Sequence, residues 1–259
     1  FEKVRKLNDS EVLRFGMLSL LTFLIRTKPE IIHIITYERF AVVCFIYKLF
    51  SKVKIFYNVH GVISIENIKL KQTHVFYAFK DNVIENIFMK NSDRLIFLSE
   101  RSVELYKEIV DFDSDKIEFI PNGIDEVFFT SGCKRKVNSE NNLNVVFAGD
   151  EVRKEKGLEF LLNAVSKLNF DLNLYLIGNY SRTFENCSGN IKIKVTQRMD
   201  TNDFSKFLVD KDVFVSASSY EQFSITAVEA MASGLAPIVT LETGMSSYIK
   251  NEENGITLN

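Results

Sequence analysis

Short apolar segments alternate with amphipathic helical segments along the whole chain, and this alternation restricts the fold more than any other feature. The predicted strands, rich in Ile, Val and Phe, are residues 30–35, 53–60, 94–98, 116–120, 144–148, 172–177, 191–195, 213–216, 236–240 and 255–258. The predicted helices are residues 37–50, 73–90, 100–110, 157–168, 201–210 and 224–232. Apolar strands separated by helices predict parallel sheets that are covered on both faces. The fold class is therefore α/β.

The alternation is interrupted once, near the middle of the chain. Residues 121–143 contain Pro121, Gly123, Gly132 and the polar run KRKVNSENN, which is typical of a linker. We therefore predict two Rossmann-like, doubly wound domains at 1–122 and 144–259, joined by a linker at 123–143. Ligands of such sheets bind beyond the carboxyl ends of the strands. If the two domains face each other, the expected site is the central cleft between them.

Composition excludes several other classes of protein. The 259 residues are 46% hydrophobic and 25% charged with a net charge of −2, which is ordinary for a globular protein and gives no reason to expect a nucleic-acid partner. Three cysteines and three histidines lack the spacing of a zinc site, so no protein-bound metal and no resident cofactor are expected. No apolar run is long enough to span a membrane. These features predict a cytoplasmic location.

Charge is distributed unevenly between the two halves. Residues 1–90 carry 14 Lys and Arg against 8 Asp and Glu, whereas the remainder carries 18 against 26. The simpler explanation is chance variation on a soluble surface. The alternative is a peripheral contact of the basic amino-terminal region with the inner face of the membrane or with an anionic acceptor.

Two carboxylates stand at one predicted strand–helix junction. Glu221 follows the strand at 213–216, and Glu229 lies eight residues later within the apolar run AVEAMA. Helix amino termini offer free N–H groups to anionic or hydroxyl-rich ligands, and carboxylates accept hydrogen bonds from sugar hydroxyls. The alternative is that Glu221 helps to cap the helix and Glu229 is a solvated helix residue.

The stretch from Glu221 to Ile238, EQFSITAVEAMASGLAPI, resembles the E-x7-E signature of retaining GT-B glycosyltransferases, glycosyltransferase family 4 in particular. That signature usually reads E-G-F-G-x-x-x-x-E-A-M-A-x-G-x-P-V-I. The family's phosphate-binding segment resembles VVFAGDEVRKEKGLEFLLNAV, which begins at Val145 and includes Gly149, and its interdomain segment resembles IPNGID. KPEIIHI, VHG and SDRLIFLSE follow the family order in the first half. The resemblance covers nearly the whole chain and implies a GT-B fold.

For catalysis, the resemblance implies roles for three residues. Glu221 would contact the hydroxyls of the transferred sugar, and Lys156 would neutralise the diphosphate leaving group. His60 would lie in the cleft near the transferred sugar, although it could also be only a strand-end residue.

For donor binding, the resemblance implies a second set of residues. Glu229 would bind the ribose hydroxyls of a nucleotide-sugar. Phe223, Ser224 and Ile225 would offer backbone N–H groups to the sugar and the diphosphate, and Met199 would lie near the base.

The sequence departs from the family pattern next to Gly149. The family usually has Arg at the next position, where this chain has Asp150. Arg153 or Lys154 could supply the cation instead, because basic side chains suit a diphosphate.

Two further departures concern glycines and the chain ends. Gln222 and Ser224 replace the usual glycines, so the sugar preference is expected to differ. The family's first strand and its closing helices have no counterpart in the sequence. This suggests a fragment, and we expect little or no activity from these 259 residues alone.

The function indicated by these features is a retaining, metal-independent glycosyltransferase. It would move a sugar from a UDP- or GDP-linked donor to a glycan or lipid-linked acceptor in cell-surface polysaccharide biosynthesis. Two alternatives remain open: a non-catalytic subunit that binds a nucleotide-sugar, and a nucleotide-sugar epimerase on the same fold.

Overall fold

The computed structural model describes residues 2–7, 10–14, 16–60, 75–107, 110–134, 142–184 and 190–259. The chain forms two compact units. The first contains residues 1–98 and 103–120, and the second contains residues 99–102 and 121–259. Each unit is built on its own parallel sheet, which confirms the α/β class.

The first unit opens with an antiparallel hairpin and continues as a four-stranded parallel sheet in the order β3-β4-β5-β6. Its strands are β1 (Glu2–Leu7), β2 (Ser10–Arg14), β3 (Ile31–Ile34), β4 (Lys54–Val59), β5 (Arg94–Phe97) and β6 (Ile117–Phe119). Its helices are α1 (Met17–Thr27), α2 (Val42–Lys48), α3 (Val75–Asn91) and most of α4 (Glu100–Lys107), whose first residues belong to the second unit.

Aromatic side chains form the centre of the first unit. The ring of Phe88 on α3 lies 4.9 Å from that of Phe45 on α2 and 5.3 Å from that of Tyr57 on β4, measured between centroids. Phe88 and Tyr57 are fully buried. Phe88 meets Tyr57 edge-on and Phe45 at a tilted angle, and aromatic pairs of this kind stabilise a core beyond the area they bury. They fix two helices to one sheet.

The second unit is a six-stranded parallel sheet in the order β12-β11-β10-β7-β8-β9. Its strands are β7 (Leu143–Ala148), β8 (Leu172–Ile177), β9 (Ile191–Thr196), β10 (Val213–Ser216), β11 (Ala236–Thr240) and β12 (Ile256–Leu258). Its helices are α5 (Glu126–Gly132), α6 (Leu158–Val165), α7 (Thr201–Leu208) and α8 (Ile225–Ala232). Two apolar clusters pack around this sheet, one of them including α6 and the other α5, α7 and α8.

Helix α5 corrects the prediction of a linker at 123–143. The Asp125 side chain accepts a hydrogen bond from the Val127 amide at 2.9 Å and so caps the helix. Phe128 is fully buried, with its ring 6.1 Å from that of Phe204 on α7. Residues 126–132 therefore belong to the core of the second unit, and residues 135–141 lie outside the described part of the chain.

The remaining elements follow the sequence closely, with differences at the start of the chain. The helix predicted at 37–50 is a 3-10 turn, Arg39–Ala41, followed by the shorter α2. The hairpin β1–β2 and helix α1 had not been predicted. None of the helices in the described ranges is long and apolar enough to cross a membrane.

Candidate functional site

The candidate site lies at the carboxyl edge of the second sheet, where the loops after β7, β8, β9 and β10 begin. A cavity of about 280 Å³ opens there. It is lined by Ala148, Gly149, Asp150, Arg153, Lys156, Ile177, Arg198, Met199, Phe204, Thr226 and Glu229. Loops that follow adjacent parallel strands meet at one edge, and this is where such sheets bind ligands.

Lys156 and Glu221 form the central ion pair of the site. Lys156 Nζ lies 2.5 Å from Glu221 Oε1, and both side chains are only about 17% and 16% exposed. The other carboxylate oxygen of Glu221 accepts hydrogen bonds from Ser216 Oγ at 3.1 Å and Ser218 Oγ at 2.9 Å. The carboxylate is thus held on both oxygens, which fixes the ammonium group opposite it.

The backbone around Gly157 places Lys156 at this point. Lys156 ends a 3-10 turn, Lys154–Lys156, and Gly157 follows with a positive φ of 77°. A Cβ atom on Gly157 would lie 1.9 Å from the carbonyl oxygen of Ala217. The Ser219 amide also donates to the Glu155 carbonyl at 2.8 Å. Because the loops after β7 and β10 touch here, only glycine fits at position 157.

Helix α8 presents its amino terminus at the same edge. Ser224 precedes the helix with a left-handed backbone, φ 68° and ψ 73°, and its side chain makes no capping hydrogen bond. The first amides of a helix have no acceptors within it. Phe223 is buried, with its ring 5.9 Å from that of Tyr248. Phe223, Ser224 and Ile225 do not line the cavity, so the predicted use of their amides stays a prediction.

Glu229 forms part of the cavity wall together with Thr226, on the first two turns of α8. Burial raises the pKa of the Glu229 carboxyl above its ordinary value. Glu229 is therefore not a solvated helix residue. A half-buried carboxylate in a cavity wall is suited to accept hydrogen bonds from hydroxyl groups.

Asp150 and Arg198 form a second ion pair at the carboxyl ends of β7, β8 and β9. Arg198 Nε lies 3.1 Å from Asp150 Oδ1, and Nη2 contacts Oδ2. Asp150 Oδ1 also accepts the Asn179 amide at 2.9 Å, and Tyr180 donates to the Gly149 carbonyl at 2.5 Å. The hydrogen bonds from Arg198 and from the Asn179 amide lower the pKa of Asp150. Asp150 follows β7, Asn179 follows β8 and Arg198 follows β9, so all three loops are tied together.

The structure places four of the eight predicted donor-binding residues in the cavity wall. Gly149, Arg153, Met199 and Glu229 line the cavity with Lys156. Lys154 is exposed and does not line it. Of the two candidates for the missing cation, only Arg153 reaches the cavity.

Arg198 is the residue that the sequence analysis missed. It is adjacent to Met199, which had been assigned to the site. Arg198 could have been found from its position, because a charged residue soon after β9 lies at the same sheet edge as the loop after β7.

His60 belongs to the first unit. It directly follows β4. The Asn58 side-chain oxygen accepts a hydrogen bond from His33 Nε2 at 2.7 Å, and the Asn58 side-chain nitrogen donates to His60 Nε2 at 3.2 Å. Burial, and then the proximity of His33, lower the pKa of His60. The Asn58 contact orients the His60 ring, and the predicted role of His60 stays a prediction.

Among the residues that the structure describes, no three His, Cys, Asp or Glu side chains are grouped closely enough to hold a metal ion. Cys44 and Cys133 are free, with Cys44 buried and Cys133 exposed.

Comparison with known sequences matches two family models to the chain. Residues 4–128 match the model of Glycosyltransferase Family 4, and residues 133–259 match Glycosyl transferases group 1. Among curated proteins, an uncharacterized glycosyltransferase of Methanocaldococcus jannaschii is 27% identical over 68% of this chain and 49% of its own length. The D-inositol 3-phosphate glycosyltransferase of Pseudarthrobacter chlorophenolicus is 24% identical over 79% and 53%. The chain thus spans about half the length of these relatives.

Solved structures also share the fold of this chain. Sucrose-phosphate synthase from Thermosynechococcus elongatus superposes with a TM-score of 0.69 at 17% identity, covering 93% of this chain and 63% of that one. Anabaena HepE in complex with UDP-glucose gives a TM-score of 0.64 at 16% identity, over 93% and 68%. The fold is GT-B, with two Rossmann-like domains. Since the two family models together match residues 4–128 and 133–259, the chain belongs to the group 1 glycosyltransferases of the family 4 type.

Proposed function

We propose that this chain forms the donor site of a retaining glycosyltransferase that uses a nucleotide-sugar, UDP- or GDP-linked, as co-substrate. The supporting observation is the Lys156–Glu221 pair, 2.5 Å apart, next to a cavity whose wall contains Glu229. A cation, a sugar-binding carboxylate and a ribose-binding carboxylate would then be in contact with one ligand. HepE, which shares the fold, has been seen with UDP-glucose, and this supports the donor class.

The proposed reaction needs little from the protein beyond positioning and charge stabilisation. An acceptor hydroxyl attacks the anomeric carbon of the donor sugar, and the bond from that carbon to the phosphate oxygen breaks. The nucleoside diphosphate leaves with the electron pair, and the leaving phosphate oxygen takes the proton of the hydroxyl. Lys156 and the amides at the start of α8 stabilise the developing negative charge, the role otherwise given to a metal ion. Attack and departure on the same face retain the anomeric configuration.

Titration of the full-length protein with UDP-, GDP- and ADP-sugars tests the donor site. We expect one nucleotide class to bind, and Glu229→Ala and Lys156→Ala each to weaken binding at least tenfold. Lys154→Ala is the matched control, because it removes a cation from the same turn outside the cavity. Failure of the folded protein to bind any of these donors would refute the proposal.

Turnover assays separate the transferase from the alternatives. Transfer to an acceptor, with the product's anomeric configuration read by NMR, identifies a retaining transferase. Binding without turnover would instead identify a non-catalytic subunit. Conversion of the donor sugar to its epimer without an acceptor would identify an epimerase.

The acceptor is proposed to be a glycan or a lipid-linked sugar, used at the inner face of the cytoplasmic membrane. A basic groove in the first unit supports this location. Its lining includes the exposed apolar residues Ile25 and Phe50 and the exposed Lys28, Lys52 and Lys54. Exposed apolar side chains surrounded by lysines are the combination that binds an anionic bilayer surface.

Co-sedimentation with vesicles tests the membrane contact. Each lysine near an anionic surface contributes about 1 kcal/mol, so Lys28→Ala with Lys52→Ala should reduce binding about tenfold or more on phosphatidylglycerol vesicles. Binding should also fall with added salt, and phosphatidylcholine vesicles should bind weakly. Lys192→Ala with Lys194→Ala, on β9 of the second unit, serves as the charge-matched control. Equal binding by the two double variants would contradict the assignment.

A further inference from the structure

The pair formed by Asp150 and Arg198 is an unusual arrangement at a cavity mouth. The Arg198 side chain is 64% exposed, whereas that of Asp150 is only 12% exposed. An ion pair with an exposed partner contributes little to stability, typically under 1 kcal/mol. Stability alone therefore does not explain why the loops after β7, β8 and β9 are all tied to the Asp150–Arg198 pair.

Asp150 is held more firmly than its partner. Its Oδ1 accepts the Asn179 amide at 2.9 Å, and the adjoining Gly149 carbonyl accepts the Tyr180 hydroxyl. Gly178 packs so closely that a Cβ atom there would lie 2.4 Å from the Gly149 carbonyl oxygen. The carboxylate is thus a fixed point against which Arg198 is oriented.

Arg198 retains donors for a ligand. Nε and Nη2 of the Arg198 guanidinium donate to the Asp150 carboxylate. Nη1 donates to no residue in the described part of the chain. A guanidinium presents five N–H donors in a rigid plane that matches phosphate oxygens. The side chain lines the same cavity as Lys156 and Glu229.

The neighbouring Arg153 provides an internal comparison. It also lines the cavity, but its partner Glu155 lies two residues away in the same turn and is engaged through Nε alone, at 2.6 Å. One contact within a turn orients a guanidinium less than two contacts to an anchored carboxylate do. Of the two arginines, Arg198 is the better pre-organised.

We propose that Arg198 binds the diphosphate of the nucleotide-sugar and that Asp150 is its positioning residue, holding the guanidinium in the orientation in which it meets the phosphate. This rests on the proposed donor site and extends it to a residue on the loop after β9. Arg198, on the loop after β9, then supplies the cation for the diphosphate. Asp150 occupies the position after Gly149.

Calorimetric titration of the full-length protein tests the role of Arg198. The probes are UDP, GDP or ADP, whichever the wild type binds, and the corresponding nucleoside. Arg198→Ala should weaken the diphosphate about ten- to a hundredfold and leave the nucleoside unchanged, because the lost contacts are to phosphate only. Arg153→Ala should have a smaller effect, and Lys192→Ala, which removes a cation from β9 itself, should have none.

A double-mutant cycle tests the role of Asp150. If Asp150 positions Arg198, the loss caused by Arg198→Ala should be several-fold smaller in an Asp150→Asn background than in the wild type. A larger loss in that background would mean that Asp150 competes with the phosphate for Arg198, and it would overturn the positioning role. Unchanged thermal unfolding of the variants separates this coupling from a general loss of structure.

The outcomes distinguish this inference from the proposed function. If Glu229→Ala weakens the diphosphate and Arg198→Ala does not, the inference fails and the donor site stands. If Arg198→Ala weakens the nucleoside as much as the diphosphate, a phosphate contact is refuted. If the folded wild type binds no nucleoside diphosphate, both fail together.

Discussion

The two sheets start alike and end differently. In each unit an aspartate directly before a parallel strand fastens the start of the neighbouring strand through two hydrogen bonds. The Asp93 amide donates to the Ile55 carbonyl at 2.8 Å, and its carboxylate accepts the Ile55 amide at 2.8 Å. Asp212 makes the same two contacts with Asn144, both at 2.9 Å.

At the carboxyl ends the resemblance between the units stops. The first sheet carries the hydrogen-bonded network of His33, Asn58 and His60. The second carries ion pairs, Lys156 with Glu221 and Arg198 with Asp150. Every parallel sheet needs contacts that set the register of its neighbouring strands. Ligands, in contrast, bind at the carboxyl ends of the strands. The shared aspartates therefore serve folding, and the unshared ion pairs serve the proposed donor site.

The strongest test of this division is Lys156→Ala in the full-length enzyme. We expect sugar transfer to slow about a thousandfold, because removing one preorganised charge-stabilising group costs about 10²–10³ in rate. Steady-state kcat with saturating donor measures the effect. Lys154→Ala should leave kcat unchanged. A loss below tenfold for Lys156→Ala would show that the pair is structural.

The amino-end aspartates should give the next largest effect, on stability. Asp93→Ala and Asp212→Ala should each lower the free energy of unfolding by about 2–3 kcal/mol, since each leaves a strand amide without a charged acceptor. Urea denaturation of both variants measures this. Donor affinity should be unchanged in Asp93→Ala. If the two losses of unfolding free energy differ by more than about 2 kcal/mol, Asp93 and Asp212 do not play the same role in their sheets.

The pH dependence of Asp93→Ala follows from the same contacts. Burial opposes ionisation of Asp93, but the hydrogen bonds from Lys48 and the Ile55 amide, with the charges of Lys48 and Lys54, outweigh it and lower the pKa of Asp93. A carboxyl with a lowered pKa stabilises the fold above its ordinary pKa of 3.8, and this contribution is lost as pH falls below that value. The stability difference between wild type and variant should therefore be constant near neutral pH and shrink below about pH 4.

Glu229→Gln should have a smaller effect, of opposite sign. Because burial raises the pKa of Glu229, its ionised form is costly in the folded state at neutral pH. The variant should melt slightly higher than the wild type by calorimetry, while it loses donor affinity. Donor binding by the wild type should weaken as pH falls towards this raised pKa, and the residual binding of the variant should not. A lower melting temperature would contradict the account.

Ser224→Gly should have the smallest effect. Ser224 has a positive φ of 68°, which costs a non-glycine residue about 1 kcal/mol, partly offset by the greater freedom of glycine in the unfolded chain. We expect a stability gain of about 0.5 kcal/mol in urea denaturation. Ser219→Gly, a nearby serine with ordinary backbone geometry, should instead be destabilising.

Much of the second unit could be predicted from the sequence. The predicted strands at 172–177, 213–216 and 236–240 match β8, β10 and β11 residue for residue. Runs of Ile, Val and Leu buried on both faces leave few other conformations. Glu221 and Glu229 could be placed at one strand–helix junction from the residues themselves, because that spacing is local information, whereas Lys156 was assigned only through the resemblance to a glycosyltransferase family.

Other features depended on contacts between distant residues. Helix α5 reads as a linker because Pro121, Gly123 and a polar run surround it, and only the burial of Phe128 against Phe204 shows that it is core. The first-unit helix α1 had no predicted counterpart, since its apolar run was judged only as a membrane span.

The sequence by itself determined the α/β class, the strands of the two parallel sheets and the residues of the signature from Glu221 to Glu229, because periodicity and short spacings are properties of neighbouring residues. The tertiary structure decided which side chains meet. Asp150 and Arg198 are 48 residues apart and Lys156 and Glu221 are 65 apart, yet each pair is in contact. Strand order brings the ends of β7, β8 and β9 to one edge, and no local pattern encodes that order.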